Sequence, residues 1–236
     1  MTIEEESLAF AKINQKRLIL QICNLTKYPP SKNPFTLFMA GSPGSGKTEY
    51  SRVFLKQLED KDPLQKIVRL DTDELRDLLP QYTGANSDLV QHASTLLFDK
   101  AFDYIQNKNL NAMIDTTFAS PRSIDNVKRA LGRNRKVGII YLYQDPLIAW
   151  NYTQKRQKLE GRVVPKNIFI NSYFSAKKNV NKVKLLFGKQ VELNLFEKDS
   201  NNNFINKAKF NIQSLDDYLK EKYTRTELEK LLLDEL

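Results

Sequence analysis

The chain has 236 residues, of which 41% are hydrophobic and 28% charged, which suits one α/β domain with a full core and terminal extensions and is marginal for two. That composition excludes wholesale disorder, and no apolar run approaches the roughly 18 residues that a membrane-spanning helix requires. The formal charge is +9 and unevenly spread: between 151 and 190, Lys155, Arg156, Lys158, Arg162, Lys166, Lys177, Lys178, Lys182, Lys184 and Lys189 are opposed by Glu160 alone. Such a stretch attracts polyanions, whether nucleotide phosphates, a diphosphate-bearing substrate, nucleic acid or an acidic protein, and charge by itself does not choose among them. The acidic start, Met1 to Ser7, lacks the basic-then-apolar order of an export signal, so a cytoplasmic location is expected. Cys23 is the only cysteine, which rules out an intrachain disulfide, and a structural place on a helix face suits it.

Residues from Glu4 to Leu25 place Leu8, Ala11, Leu18, Ile22 and Leu25 at helical intervals, and Pro29, Pro30 and Pro34 close the segment. An N-terminal helix and a stiff linker over 1–33 follow. Phe35 to Ala40 is a short apolar run bounded by glycine, the pattern of a buried strand. Similar runs recur at Ile67 to Leu70, Ala112 to Ile114, Val137 to Tyr143 and Val191 to Phe196. Between them, helical spacing is found over Glu49 to Leu58, over Leu89 to Ile105 with Ala93, Leu97, Ala101 and Tyr104 on one face, and over Arg122 to Leu131. The alternation predicts a five-stranded parallel sheet covered by helices on both faces, occupying 34–200. The polar segment Asp199 to Lys207 is expected to turn, as a loop or hairpin. In the final stretch of 201–236, Thr224 and Glu227 have capping-box spacing before Leu228, Leu231 and Leu232, so a C-terminal helix is expected, its leucines docked on the domain or offered to a partner.

The run Gly41-Ser42-Pro43-Gly44-Ser45-Gly46-Lys47-Thr48 satisfies G-x-x-x-x-G-K-[ST] in full. It follows a predicted strand and opens a predicted helix, so backbone N–H groups and a positive helix end converge on one anion. Lys47 is expected to reach the β- and γ-phosphates of ATP or GTP, and the Thr48 hydroxyl to ligate the accompanying Mg²⁺. Asp71-Thr72-Asp73-Glu74-Leu75-Arg76 follows the second predicted strand. Two carboxylates two residues apart, where a strand gives way to a turn, need not point the same way, and from spacing alone catalysis and capping of a helix over Glu74 to Leu79 are equal readings of them. Asp115, in Ile114-Asp115-Thr116-Thr117, stands where a P-loop enzyme holds Mg²⁺ through water. Lys155, Arg156 and Arg162, ahead of Pro165, suit a closing lid that brings guanidinium groups to a transferring phosphoryl group, or a solvated helix face. His92 is the only histidine, so neither a His-based triad nor a multi-histidine metal site can be built. Trp150, Tyr141 and Tyr143 are read as core.

Taken together, four blocks resemble the zeta toxin family, the kinase half of epsilon/zeta toxin–antitoxin systems: Phe38 to Glu49, Leu70 to Arg76, Ile114 to Thr117, and Arg156 with Gly161 to Pro165. The resemblance covers roughly Pro34 to Phe196 and implies a nucleotide-kinase-like, three-layer P-loop fold. In the family pattern D-x-D-x-[FL]-[KR] the second acid is the catalytic base, which falls on Asp73, with Arg76 beside it. Lys47 and Thr48 take the phosphate and magnesium positions, and Arg156 and Arg162 the lid arginines. Asp115 takes the place of a glutamate that faces the substrate, with Thr117 in the same block, and Asp99 falls near another acidic substrate contact. The implied activity is phosphorylation of the 3′-hydroxyl of the amino sugar in UDP-N-acetylglucosamine, with growth inhibition as the outcome and an epsilon-type antitoxin as partner. This chain departs from the founding members after the third strand: where they have Glu-Gly-Thr and an arginine, it has Asp115-Thr116-Thr117-Phe118, with Arg122 further along. Two other functions fit parts of the pattern. A polynucleotide 5′-hydroxyl kinase shares the blocks and suits the basic stretch, although the aromatic-basic interleaving of a single-strand channel is absent. A regulatory ATP-binding module needs the loop but has no use for Asp73 and a lid-arginine pair.

Overall fold

The computed structural model describes residues 1–161, 163–199 and 205–233. In chain order its elements are α1 (Ile3–Ile22), β1 (Phe35–Ala40), α2 (Lys47–Lys61), β2 (Ile67–Asp71), α3 (Thr72–Arg76), α4 (Gln91–Asn107), β3 (Asn111–Asp115), α5 (Arg122–Leu131), β4 (Lys136–Tyr143), α6 (Pro146–Glu160), α7 (Lys166–Phe187), β5 (Val191–Lys198), β6 (Ile205–Lys209) and α8 (Arg225–Leu231). The chain divides into two compact units, 1–36 with 52–115, and 37–51 with 116–236.

In the first unit a capping box starts α1: the Glu5 N–H donates to the Thr2 hydroxyl at 3.2 Å, and the Thr2 N–H to the Glu5 carboxylate at 2.8 Å. Its buried face, Ser7, Ala11, Leu18 and Ile19, packs on α4, where Ala93, Leu97 and Ala101 are fully buried and Tyr104 is half-buried. Cys23, just past the end of α1, is a buried free thiol whose pKa burial pushes up to about 12, which leaves it a small core residue. β2 and β3 run parallel, Ile67 opposite Asn111 through Asp71 opposite Asp115, and every residue of β3 is buried. Parallel strands covered on both faces require such continuous apolar runs. The helix expected over Glu74 to Leu79 is instead α3, which opens at Thr72 because the Asp71 side chain caps it by accepting from the Asp73 N–H.

In the second unit β1 neighbours β4, and β4 pairs in parallel with β5 from Val137 opposite Val191 to Tyr143 opposite Glu197. Among the described residues the expected five strands become six: β6 runs antiparallel to β5, Leu195 opposite Lys209, and the turn expected between them lies at 200–204, outside the described residues. β6 has no apolar pattern because all of it is exposed. Backbone pairing recruits it, and Lys207 and Lys209 blunt the edge it presents.

The C-terminal segment docks on its own unit. Thr224 and Glu227 form the expected capping box, the Thr224 N–H donating to the Glu227 carboxylate at 2.7 Å. Leu228 and Leu232 enter a cluster with Ala149 and Trp150 of α6 and Phe169, Ile170 and Tyr173 of α7. Trp150 meets the Phe169 ring edge-on with centroids 5.2 Å apart, and its indole N–H donates to the Leu233 carbonyl at 2.7 Å. A buried leucine truncated to alanine typically costs 2–5 kcal/mol, whereas an exposed one costs about 0.5 or less. Leu228→Ala should therefore lower the unfolding midpoint clearly, and Leu231→Ala, at a position 49% exposed, should leave it nearly unchanged. Equal midpoints for the two variants in a denaturant titration would mean that α8 does not dock.

Candidate functional site

The Gly41–Thr48 loop lies in the second unit and connects β1 to α2. Two of its positions admit no side chain. Gly41 has φ +139° and Gly44 φ +73°, and a Cβ at either would strike a backbone carbonyl, that of Leu142 at the end of β4 or of Ala149 in α6. The Gly41 N–H donates to the Thr117 carbonyl at 3.2 Å, which ties the loop to the segment after β3. Lys47 is 8% exposed, and its ammonium folds back to donate to the Ser42 carbonyl at 2.6 Å and the Ser45 hydroxyl at 3.4 Å. A buried ammonium so held is spared the cost of an unpaired charge and stands at the mouth of the loop. The Thr48 hydroxyl has no hydrogen-bond partner among the described residues.

In the first unit an arginine that sequence reasoning missed organises the acidic block. Arg69 lies within β2, 10% exposed at its side chain, and donates to Asp71 and Asp115, each at 2.6 Å, and to Glu74. Its signal was present in Ile67-Val68-Arg69-Leu70, a guanidinium inside a buried apolar run, which persists only when paired. Desolvation outweighs Arg69 at Asp71: burial first, then the charges of Asp73 and Asp115, push its pKa up to about 6. Asp73 behaves differently. Its side chain is 34% exposed and pairs with Arg76 at 2.6 Å, and Arg76 also donates to Gln91 at 2.8 Å. The block thus holds one carboxylate in a cap and presents the other on an arginine.

Thr117 and Phe118 belong to the second unit. Phe118 is 1% exposed and lies edge-on to Phe38, centroids 5.9 Å apart, in the left-handed region at φ +62°. Asn179 of α7 fixes that turn by donating to the carbonyls of Phe118 and Ala119 at 3.1 and 2.8 Å. The position at which founding family members carry an arginine is a core residue here.

Of the two arginines expected on a lid, Arg156 is half-buried on α6, and Arg162 lies outside the described residues. Asp99 is half-buried on α4. His92 is exposed and bonds Glu4 at 2.7 Å, consistent with a structural role. The basic stretch is partly internal: Lys184 is buried and donates to the carbonyls of Gly188 and Val191 at 3.0 and 2.8 Å, while Lys177 pairs with Asp216 and the Leu219 carbonyl. No helix among the described residues is long and apolar enough to cross a membrane, and none of their His, Cys, Asp and Glu side chains form a metal-holding group of three or more.

The sequence model described as zeta toxin matches residues 21–209. No curated protein matches the chain by sequence. Among solved structures, a chain of the PezAT chromosomal toxin–antitoxin system of Streptococcus pneumoniae is similar over 94% of this chain and 91% of its own, at 15% identity and a TM-score of 0.66. A chain of the AvrRxo1-ORF1:ORF2 complex with ATP is similar over 88% of this chain and 65% of its own, at 15% identity and a TM-score of 0.58. A chain of the Pnkp1/Rnl/Hen1 RNA repair complex is similar over 65% of this chain and 47% of its own, at 18% identity and a TM-score of 0.50. At such identities the likeness is one of fold, and it is the expected α/β fold of P-loop kinases.

The raised Asp71 pKa has a sign in stability. A carboxyl whose folded pKa lies above its unfolded value of about 3.9 binds its proton more tightly when folded, so its contribution is full below about pH 4 and is lost as pH rises through 6. Between pH 4 and 7 the unfolding free energy of wild type should fall relative to that of Asp71→Asn, by on the order of 2 kcal/mol. Parallel curves for the two proteins would show that Asp71 titrates normally.

Proposed function

The chain belongs to the zeta toxin family, and on that premise we propose that it is a Mg²⁺- and ATP-dependent phosphotransferase that phosphorylates a hydroxyl of a UDP-activated amino sugar, the 3′-hydroxyl of UDP-N-acetylglucosamine, and thereby inhibits growth. What supports a catalytic reading most is the loop itself, with carbonyls in place of side chains at Gly41 and Gly44 and a buried Lys47 ammonium folded onto Ser42. In this reading Gly41 to Thr48 bind the triphosphate through backbone N–H groups, and Lys47 neutralises charge that grows on the γ-phosphoryl group during transfer. Thr48 would hold Mg²⁺, with Asp115 as a water-mediated neighbour, and the ion would supply positive charge against the charge that develops during transfer. Asp73 accepts the acceptor hydroxyl's proton and orients the oxygen for in-line attack, and Arg76 sets its rotamer. Arg156 and Arg162 stabilise the transition state from the lid, and Asp99, Asp115 and Thr117 contact the acceptor. A non-catalytic ATP module would leave the Asp73–Arg76 pair without a task.

Two observations favour a second reading, a polynucleotide 5′-hydroxyl kinase: the likeness to a chain of an RNA repair complex, and the surface lysines of the 151–190 stretch. The stretch equally suits an acidic epsilon-type antitoxin, the partner proposed here given that the PezAT chain comes from a toxin–antitoxin system. Association with such a partner should weaken as salt rises and compete with ATP, and a complex indifferent to both would remove the antitoxin from this face.

The catalytic assignments are tested in one set of variants. Lys47→Ala should lower kcat by at least about a hundredfold without a change in melting temperature. Asp73→Asn should bind ATP nearly normally and lose about 10² to 10⁴ in turnover, while Asp71→Asn should affect stability more than turnover. Transfer abolished by Asp71→Asn and spared by Asp73→Asn would place the base two residues earlier, and a fully active Lys47→Ala would remove the loop from the mechanism.

A further inference from the structure

The C-terminal end of β5 brings a second lysine to the phosphate loop. A Cβ built on Gly46 would lie 2.5 Å from Lys198 Nζ and 3.7 Å from its Cε, so the ammonium rests against the loop backbone where α2 begins. Packing puts it there. Phe196, two residues earlier in β5 and ahead of the register shift between Glu197 and Lys198, packs obliquely on Tyr50 of α2 with centroids 5.3 Å apart, which carries the strand end over the first turn of the helix. Lys198 is half-buried, and among the described residues its ammonium makes no hydrogen bond and no ion pair. The nearest opposite charge is Glu49, whose carboxylate also flanks Gly46. Burial lowers the Lys198 pKa and Glu49 partly offsets that, the balance of an ammonium drawn from water without a full partner.

A desolvated cation without a partner, held against a backbone built to carry phosphate, calls for an anion. Lys47 folds towards Ser42 at the start of the loop, the side that serves the β- and γ-phosphates. Lys198 stands at the other end, at the Gly46–Glu49 junction, where the loop backbone cradles the α- and β-phosphates. We propose that Lys198 is a second nucleotide-binding cation of this chain, donating to the α/β-phosphate segment of the bound nucleotide, with Glu49 as the carboxylate that the phosphates displace. This rests on the phosphate-loop reading given above and adds to it a residue outside the loop, on a different strand, that grips the part of the nucleotide common to substrate and product.

The test is equilibrium binding of MgATP and MgADP by calorimetry to the full chain, alongside its melting temperature. Because both nucleotides carry the α/β segment, Lys198→Met should raise Kd for MgATP and MgADP by the same factor, about tenfold to a hundredfold, with the melting temperature unchanged. Lys198→Arg, which keeps the charge, should stay within about threefold of wild type, and Glu49→Gln should tighten both ligands by a small factor. Kd values for Lys198→Met within twofold of wild type would overturn the assignment. So would a loss confined to MgATP, which would move the contact to the γ-phosphate, or tighter binding, which would make Lys198 a plug of the empty loop. Wild-type protein that binds neither nucleotide would overturn the phosphate-loop reading itself, and this assignment with it.

Discussion

The absence of room for a side chain at Gly41 and Gly44 is the constraint on which the second unit is arranged. Carbonyl oxygens of Leu142 and Ala149 stand where Cβ atoms would be, so the end of β4 and the start of α6 must both reach the loop. α6 is held there by the Trp150 cluster, and α8 closes that cluster from outside with Leu228, Leu232 and the Leu233 carbonyl. The C-terminal helix therefore acts on the loop at one remove, by fixing the helix that the loop rests on. Lys47 is buried beside this loop, and the Ser42 carbonyl makes that burial tolerable by accepting a hydrogen bond from its ammonium.

In the first unit the corresponding constraint is the charge balance around Arg69. One guanidinium in a buried strand meets carboxylates from β2, α3 and β3, and removing any partner would leave charge in a poorly hydrated place. Asp71 is consumed by this arrangement and by capping α3, which leaves Asp73 as the half-exposed acid of the block. Spacing could not separate the two acids. Burial does, because only one has a side chain that faces out, and that acid is the one the family pattern designates as base.

Much of the fold was legible because buried parallel strands and amphipathic helices write themselves in apolar spacing. Five strands and the helix over Arg122 to Leu131 stand at or within two residues of where the pattern puts them, and the Thr224 capping box holds as read. What was illegible lacked such a pattern. β6 is exposed throughout and owes its place to backbone pairing with β5. Asp71 opened α3 earlier than expected through a local side-chain bond. For the site, the loop was fully legible as a motif and Arg69 left a trace as a guanidinium in an apolar run, whereas the pairing of Arg69 with Asp115 and the approach of Lys198 to Gly46 were not legible, since those partners are distant in sequence. Phe118 shows the limit of carrying a family position over by alignment, because its ring is in the core beside Phe38. Lys184, one of the basic residues of the 151–190 stretch, proves to be an internal cap on two carbonyls.

The proposed reaction is the transfer of a γ-phosphoryl group, held by this loop, to a hydroxyl of a sugar nucleotide. It is tested most directly by offering γ-labelled ATP with UDP-N-acetylglucosamine and a 5′-hydroxyl oligonucleotide in one reaction. Label is expected on the sugar nucleotide, dependent on Mg²⁺, and none on the oligonucleotide. Label on the oligonucleotide alone would contradict the acceptor, and label on neither, with ATP bound, would contradict the enzyme.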